Sequence, residues 1–226
     1  MANSTKKTVE IRRRRVAAIL PILKSTYPNA KCSLDYRTPL QLLVATILSA
    51  QCTDVRVNIV TKTLFKKYKT AEDFANAPAG ELERDIQSTG FFNSKAKSIR
   101  AMAASLLKEH KGKVPQTMEE LTSLAGVGRK TANVVLGNAF HKNVGVVVDT
   151  HVARLSERLE LTKNTSAEKI ELDLMEIVPQ EEWTLWSHLL IHHGRAICIA
   201  RKPACEKCVI FKECPTGPRV LAEREA

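Results

Sequence analysis

Three features of this 226-residue sequence predict an all-α fold. Apolar residues recur at helical spacing along most of the chain, and the breaks between these runs fall at helix-capping residue types. Aromatics make up only 5% of the residues, and 9 Gly and 9 Pro are too few for the turns of an aromatic-rich β-sandwich. With 44% hydrophobic and 26% charged residues, the composition excludes wholesale disorder, collagen-like and low-complexity classes. The length suits one large domain or two small ones.

The first element is an amphipathic helix over about residues 8–26, with a basic end at 12–15 that faces solvent or DNA. The same basic run followed by apolar residues 16–23 has the look of a twin-arginine leader. Against that stand Pro21 inside the run, Lys24 after it and the lack of a small-x-small cleavage pattern before Cys32. Leu40, Leu43, Val44, Ile47 and Leu48 mark a buried helix, and Val55, Ile59, Val60, Leu64 and Phe65 the next, with Thr53 and Asp54 as capping candidates. Leu82 and Ile86 belong to a third. After a turn at 90–93 come Ile99, Met102, Ala103, Leu106 and Leu107, then a break at 110–115. Thr117 with Glu120 forms a capping box that opens a short helix to Leu124.

Gly126-Val127-Gly128 reads as a tight hairpin leading into a helix over 129–140. The β-branched run 144–148 could pass for a strand, but no partner strand is evident, so an extended connector is expected. Helices follow at about 150–159, 167–178 and 182–197, the middle one opened by a Thr165/Glu168 capping box. A cysteine-rich segment closes the chain. The longest apolar stretch, 40–50, is about half of the roughly 20 residues a membrane-spanning helix needs, so a cytoplasmic or nucleoid location is the default expectation. One local echo is present: IQSTGFFNSKAKSI (86–99) aligns with TSLAGVGRKTANVV (122–135), each a helix, glycine hairpin and helix.

The chain carries 35 Lys+Arg against 24 Asp+Glu, a net charge of +11, which implies a polyanionic partner, either nucleic acid or an acidic membrane surface. The excess is localised, since residues 1–15 hold six basic and one acidic side chain and residues 195–219 hold six and two. Four of the six cysteines, Cys198, Cys205, Cys208 and Cys214, fall in one short segment. That clustering favours a metal site over a disulfide framework. One C-x-x-C pair flanked by unequal arms leaves zinc and iron–sulfur both open.

The hairpin glycines permit turn conformations closed to other residues and leave amide groups unpaired at the start of the next helix, a concavity suited to phosphate. A G-x-G turn alone is as readily structural as functional. Lys130 lies in the first turn of that helix, where the macrodipole opposes its charge, a poor place for a merely structural lysine. The placement, with desolvation by a docked substrate, would lower its pKa from about 10.4 and supply a free amine for attack on a sugar carbon. The bland alternative is a phosphate contact. Asp149, preceding THVARLSERL, is by itself an ordinary N-cap, a role compatible with catalysis because capping holds the carboxylate rigidly.

LAGVGRKTANVVL, followed nineteen residues after its lysine by VDTH, resembles the helix-hairpin-helix DNA glycosylases of the endonuclease III family. The spacing C-x6-C-x2-C-x5-C resembles that family's iron–sulfur loop, and PLQLLVATILSAQCTD and GFFNSKA extend the likeness over nearly the whole chain. The resemblance implies a bifunctional glycosylase and abasic-site lyase that flips oxidised pyrimidines out of duplex DNA. Lys130 would be the nucleophile, and Asp149 would accept its proton or stabilise the developing sugar cation.

Gln51 of LSAQ would fill the gap in the duplex. Phe91 stands where the family often places a leucine wedge, an aromatic departure that can stack as well as wedge. Gly126, Val127, Gly128 and Arg129 would meet the DNA backbone, as would Arg201 and Lys202 in a loop pinned by a four-iron, four-sulfur ([4Fe-4S]) cluster on Cys198, Cys205, Cys208 and Cys214.

The implied architecture has two helical domains: residues 32–143 with the hairpin, and residues 1–31 with 144–226 around the cluster, with a DNA cleft between them. A monomer is expected. Two competing readings are a DNA-binding module without chemistry, which needs neither Lys130 nor Asp149, and an adenine glycosylase, which lacks the lysine.

Overall fold

The computed structural model describes residues 2–225. Among them every regular element is helical: α1 (Ala2–Thr26), α2 (Pro39–Leu48), α3 (Asp54–Lys67), α4 (Ala71–Ala75), α5 (Glu81–Ile86), α6 (Phe92–His110), α7 (Met118–Ser123), α8 (Arg129–Ala139), α9 (Thr150–Arg158), α10 (Ala167–Ile177), α11 (Trp183–Ala196) and α12 (Thr216–Glu225). Short 3-10 turns lie at Gln87–Thr89, Gln180–Glu182, Cys205–Lys207 and Phe211–Glu213. No helix among the described residues is long and apolar enough to cross a membrane.

Side-chain caps set most of the helix starts. Thr38 accepts from the Gln41 amide with Pro39 in the first helical position, Thr53 accepts from Arg56, and Thr117 from Glu120. α10 departs from expectation: Ser166, not Thr165, is the cap and accepts from the Lys169 amide, so the predicted Thr165/Glu168 box is not used. The sequence offers two adjacent hydroxyl residues, and the extended backbone at Ser166 selects the second. Two helices escape the periodicity reading. α4 is five residues long, though it has a full Thr70/Asp73 capping box, and α12 carries few apolar residues. The run 144–148 is indeed an extended connector; Val146, Val147 and Val148 are buried, and the Val147 amide donates to Ser187 Oγ (3.1 Å) instead of to a neighbouring strand.

The chain divides into two compact units. The first is Cys32–Lys142. Its core gathers Leu42, Leu43, Ile47 and Leu48 of α2 with Phe74 of α4, Ile99, Met102 and Leu106 of α6, and Val135 and Leu136 of α8. Each fully buried Leu, Ile or Phe side chain contributes about 1.5–3 kcal/mol of hydrophobic stabilisation. The second unit joins α1 to the chain from Asn143 onward. There Val16, Ile19 and Leu23 of α1 share a core with Leu155 of α9, Leu174 of α10, and Trp186, Leu189 and Leu190 of α11.

The basic run at the start of α1 has a structural use. Arg13 donates to the Glu176 carbonyl near the C-terminus of α10 (3.1 and 3.0 Å), while Arg15 donates to the Leu159 carbonyl (2.6 Å) and Arg12 to that of Glu160 (3.3 Å), both just past the end of α9. Helix C-termini expose unpaired carbonyls and negative dipole charge, which cations satisfy. Part of the charge excess read from the sequence as a polyanion footprint is therefore spent inside the fold.

Candidate active site

α7 and α8 are joined by the glycine hairpin. Gly126 has φ +75°, and a Cβ there would lie 2.7 Å from the Ser98 Cβ of α6, so both backbone conformation and space require glycine. Val127 points inward, 5% exposed, and its amide donates to the Leu124 carbonyl (3.1 Å). Its side chain therefore anchors the hairpin from within the unit. Gly128 is the N-cap of α8, extended and without a side-chain cap, and Arg129 and Lys130 follow as exposed residues of the first turn. The positive end of the α8 dipole thus receives no side-chain cap from Gly128 and has no acidic residue in its own first turn.

Beside the hairpin a pocket of about 230 Å³ is lined by Ile47, Ala50, Gln51, Phe91, Ser94, Lys95, Ser98 and Gly126. It brings together three residues singled out from the sequence: Gln51, Phe91 and Gly126. Both Gln51 (φ +52°) and Phe91 (φ +48°) occupy the left-handed region, unusual for side chains of this size, and Phe91 is 66% exposed. Lys95 is 5% exposed, and its Nζ donates to the carbonyls of Leu48 and Thr89, each at 2.8 Å. Burial pulls the Lys95 pKa below its usual value, with Cys52 opposing that shift.

In the second unit Asp149 caps α9. Its Oδ1 accepts from the amides of His151 (2.9 Å) and Val152 (2.8 Å), and Oδ2 takes part in neither capping bond.

The four clustered cysteines are half-buried free thiols that line one cavity, together with Arg158, Ile197, Pro203, Phe211, Thr216, Gly217 and Val220. Arg158, the last residue of α9, reaches Cys198 Sγ (3.3 Å) and donates to the Ile199 (2.8 Å) and Ala200 (2.9 Å) carbonyls. Arg154 donates to the carbonyls of Gly194 and Cys198, each at 3.0 Å. His193 bridges Tyr27 Oη (2.9 Å) and Cys208 Sγ (3.4 Å). Burial lowers the His193 pKa to about 4, and burial raises that of Cys208 to about 11, reinforced by the other three cysteines. Four free thiols on one cavity form the donor set that a thiolate-ligated metal centre needs. Among the described residues no three His, Cys, Asp or Glu side chains converge on a point suited to one metal ion.

Residues 44–180 match the family model of the HhH-GPD superfamily base excision DNA repair proteins. Endonuclease III of Synechocystis sp. is 55% identical over 206 residues, covering 91% of this chain and 94% of that protein. A solved structure of a non-covalent endonuclease III–DNA complex superposes with a TM-score of 0.88 at 42% identity, covering 93% of this chain and 98% of that one. A trapped endonuclease III–DNA covalent intermediate, the estranged-adenine complex, also gives 0.88 at 42% identity, covering 92% and 98%. This chain belongs to the endonuclease III family.

As an endonuclease III family member it is a DNA glycosylase and abasic-site lyase of base excision repair, and its partner is DNA. Lys95 and the arginines behind the cysteine loop, Arg154 and Arg158, do not stand out in the sequence as read above. For Lys95 a signal was available. It sits in the first turn of α6, where the dipole disfavours a lysine, by the same reasoning that singled out Lys130. Arg201 and Lys202 are exposed in the cysteine loop, with Lys202 at φ +52°.

Proposed function

We propose that Lys130 is the nucleophile of this glycosylase/lyase and Asp149 its proton acceptor, acting on oxidised pyrimidines in duplex DNA. The observation that carries the reading is the exposed lysine in the first turn of α8, just after a hairpin that only glycine can build. The neutral Lys130 Nζ attacks the sugar C1′, the C1′–N bond breaks, and the base leaves with its electron pair and takes up a proton. Asp149 accepts the proton lost from the amine. Ring opening gives a Schiff base, removal of a C2′ proton follows, and the C3′–O bond to phosphate breaks, cutting the strand. Oδ2 of Asp149 suits the role because Oδ1 already holds the carboxylate in place through two amides.

Gly126, Gly128 and Arg129 meet the DNA backbone at the open end of α8, and Gln51 and Phe91 enter the duplex from the pocket beside it. Cys198, Cys205, Cys208 and Cys214 hold a [4Fe-4S] cluster, a fit supported by four free thiols around one cavity. When bound, the cluster supplies iron–thiolate bonds that cross-link the loop carrying Arg201 and Lys202. The enzyme works as a monomer on nucleoid DNA in the cytoplasm. Borohydride reduction during reaction with abasic-site or thymine-glycol duplex tests the central step. A covalent adduct that disappears in Lys130→Ala supports it, and an adduct that survives the substitution overturns it.

A further inference from the structure

Gln51 and Phe91 present a specific difficulty. Each holds a long side chain in a left-handed conformation that is strained and persists only where the surroundings over-determine it. Gln51 stands three residues after the end of α2, and Phe91 two residues after the 3-10 turn Gln87–Thr89. The Lys95 ammonium is shared by the last carbonyls of both elements, Leu48 and Thr89. Its own backbone amide donates to the Phe91 carbonyl (3.0 Å). One residue therefore fixes the turn before Phe91 from two sides and ties it to the turn before Gln51. An ammonium buried to 5% exposure would lose its solvation without compensation unless both carbonyls stay in reach, so neither turn can move away alone.

We propose that Lys95 is a positioning residue for lesion recognition, setting the spacing of Gln51 and Phe91 so that the two enter the duplex together. This rests on the reading of Gln51 and Phe91 as the gap-filling and wedge residues. Lys95 touches no reacting atom in this role. Its influence falls on the flipping of a base that is still stacked, and much less on a nucleotide already lacking its base, which leaves the stack at little cost.

The test uses the cluster-loaded holoenzyme and two variants, Lys95→Met, which removes the donors, and Lys95→Gln, which keeps a shorter donor. Single-turnover rates are measured on a duplex with one thymine glycol and on the same duplex with a pre-formed abasic site. Misplacing the two turns in Lys95→Met is expected to slow base excision by about 10²-fold while abasic-site cutting changes by no more than about threefold. Lys95→Gln recovers part of the loss. Adding Gln51→Ala or Phe91→Ala to Lys95→Met costs less than the same change in the wild type, since coupled residues are not additive.

Equal slowing on both substrates, full additivity, or unchanged excision in Lys95→Met overturns the inference. If Gln51→Ala and Phe91→Ala are silent singly, the underlying reading of the turns has failed. If they slow excision and Lys95→Met does not, that reading stands and the positioning role alone falls. If neither Lys95 variant yields a folded, cluster-loaded protein, the lysine supports the whole unit and the inference is likewise overturned.

Discussion

Two helices, one in each unit, begin in opposite ways. α8 opens at Gly128 with no side chain to cap it and places Lys130 in its first turn, whereas α9 opens at Asp149, whose carboxylate takes two of its amides. The start of α8 takes no carboxylate from its own cap residue, whereas that of α9 does. A residue at an open helix start can be exchanged with little structural loss, while a residue at a closed one has stability and chemistry bound together. The irregular backbone follows the same division. A single buried ammonium, Lys95, holds two turns of the first unit, and two guanidiniums, Arg154 and Arg158, share the carbonyls of the cysteine loop in the second. Lysine is a compact point charge that fits a buried gap, and the arginine fork spans neighbouring carbonyls from nearer the surface.

The sharpest expected contrast is between the two helix starts. Lys130→Ala should cut strand cleavage by on the order of 10⁴ or more while the melting temperature holds, as read by gel assay and thermal melting. Cleavage within tenfold of wild type would remove Lys130 from the chemistry. Next, Asp149→Asn should lose roughly 10²–10⁴-fold in base excision yet keep its cap, whereas Asp149→Ala should lose a similar rate and about 1 kcal/mol of stability as well. Equal stability of the two variants in urea melts would show that the cap is idle.

Gly126→Ala meets both a positive φ and the Ser98 side chain, and should destabilise the first unit by roughly 2–3 kcal/mol in the same melts. Arg158→Ala, by contrast, leaves Arg154 on the neighbouring carbonyls and should cost only about 1 kcal/mol, with faster protease nicking near residues 199–202. The smallest effects separate the two basic regions. Arg13→Ala should lower stability by about 0.5–1 kcal/mol and leave the salt dependence of DNA binding unchanged, while Arg201→Ala should reduce the salt slope by about 1 and leave stability alone. Reversed results would exchange their roles.

Much of this was legible in the sequence because helix boundaries are written in local chemistry. Thr53, Thr117 and Asp149 cap the helices they were expected to open. The repeat of glycine hairpins also has a physical counterpart, with Gly90 at φ +71° and Gly126 at φ +75°. Ser166 against Thr165 shows the limit of such reading, since adjacent hydroxyls are equivalent until the backbone chooses. The Leu48 carbonyl that Lys95 reaches and the Glu176 carbonyl that Arg13 reaches lie 47 and 163 residues away and could not be read from spacing. The inward turn of Val127 was equally hidden, because an apolar residue between two glycines fits a DNA-facing tip or a buried anchor.

The joining of α1 to the later helices has a consequence during synthesis. Its apolar face, Val16, Ile19 and Leu23, is buried with α10 and α11. α10 is made about 140 residues later, a delay on the order of ten seconds at 5–20 residues per second on the ribosome. The Cys32–Lys142 unit is contiguous and can close its own core within that interval. Until then the apolar stripe of α1 has no core to join, and three of its four consecutive arginines, Arg12, Arg13 and Arg15, meet their carbonyl partners only once α9 and α10 have been made.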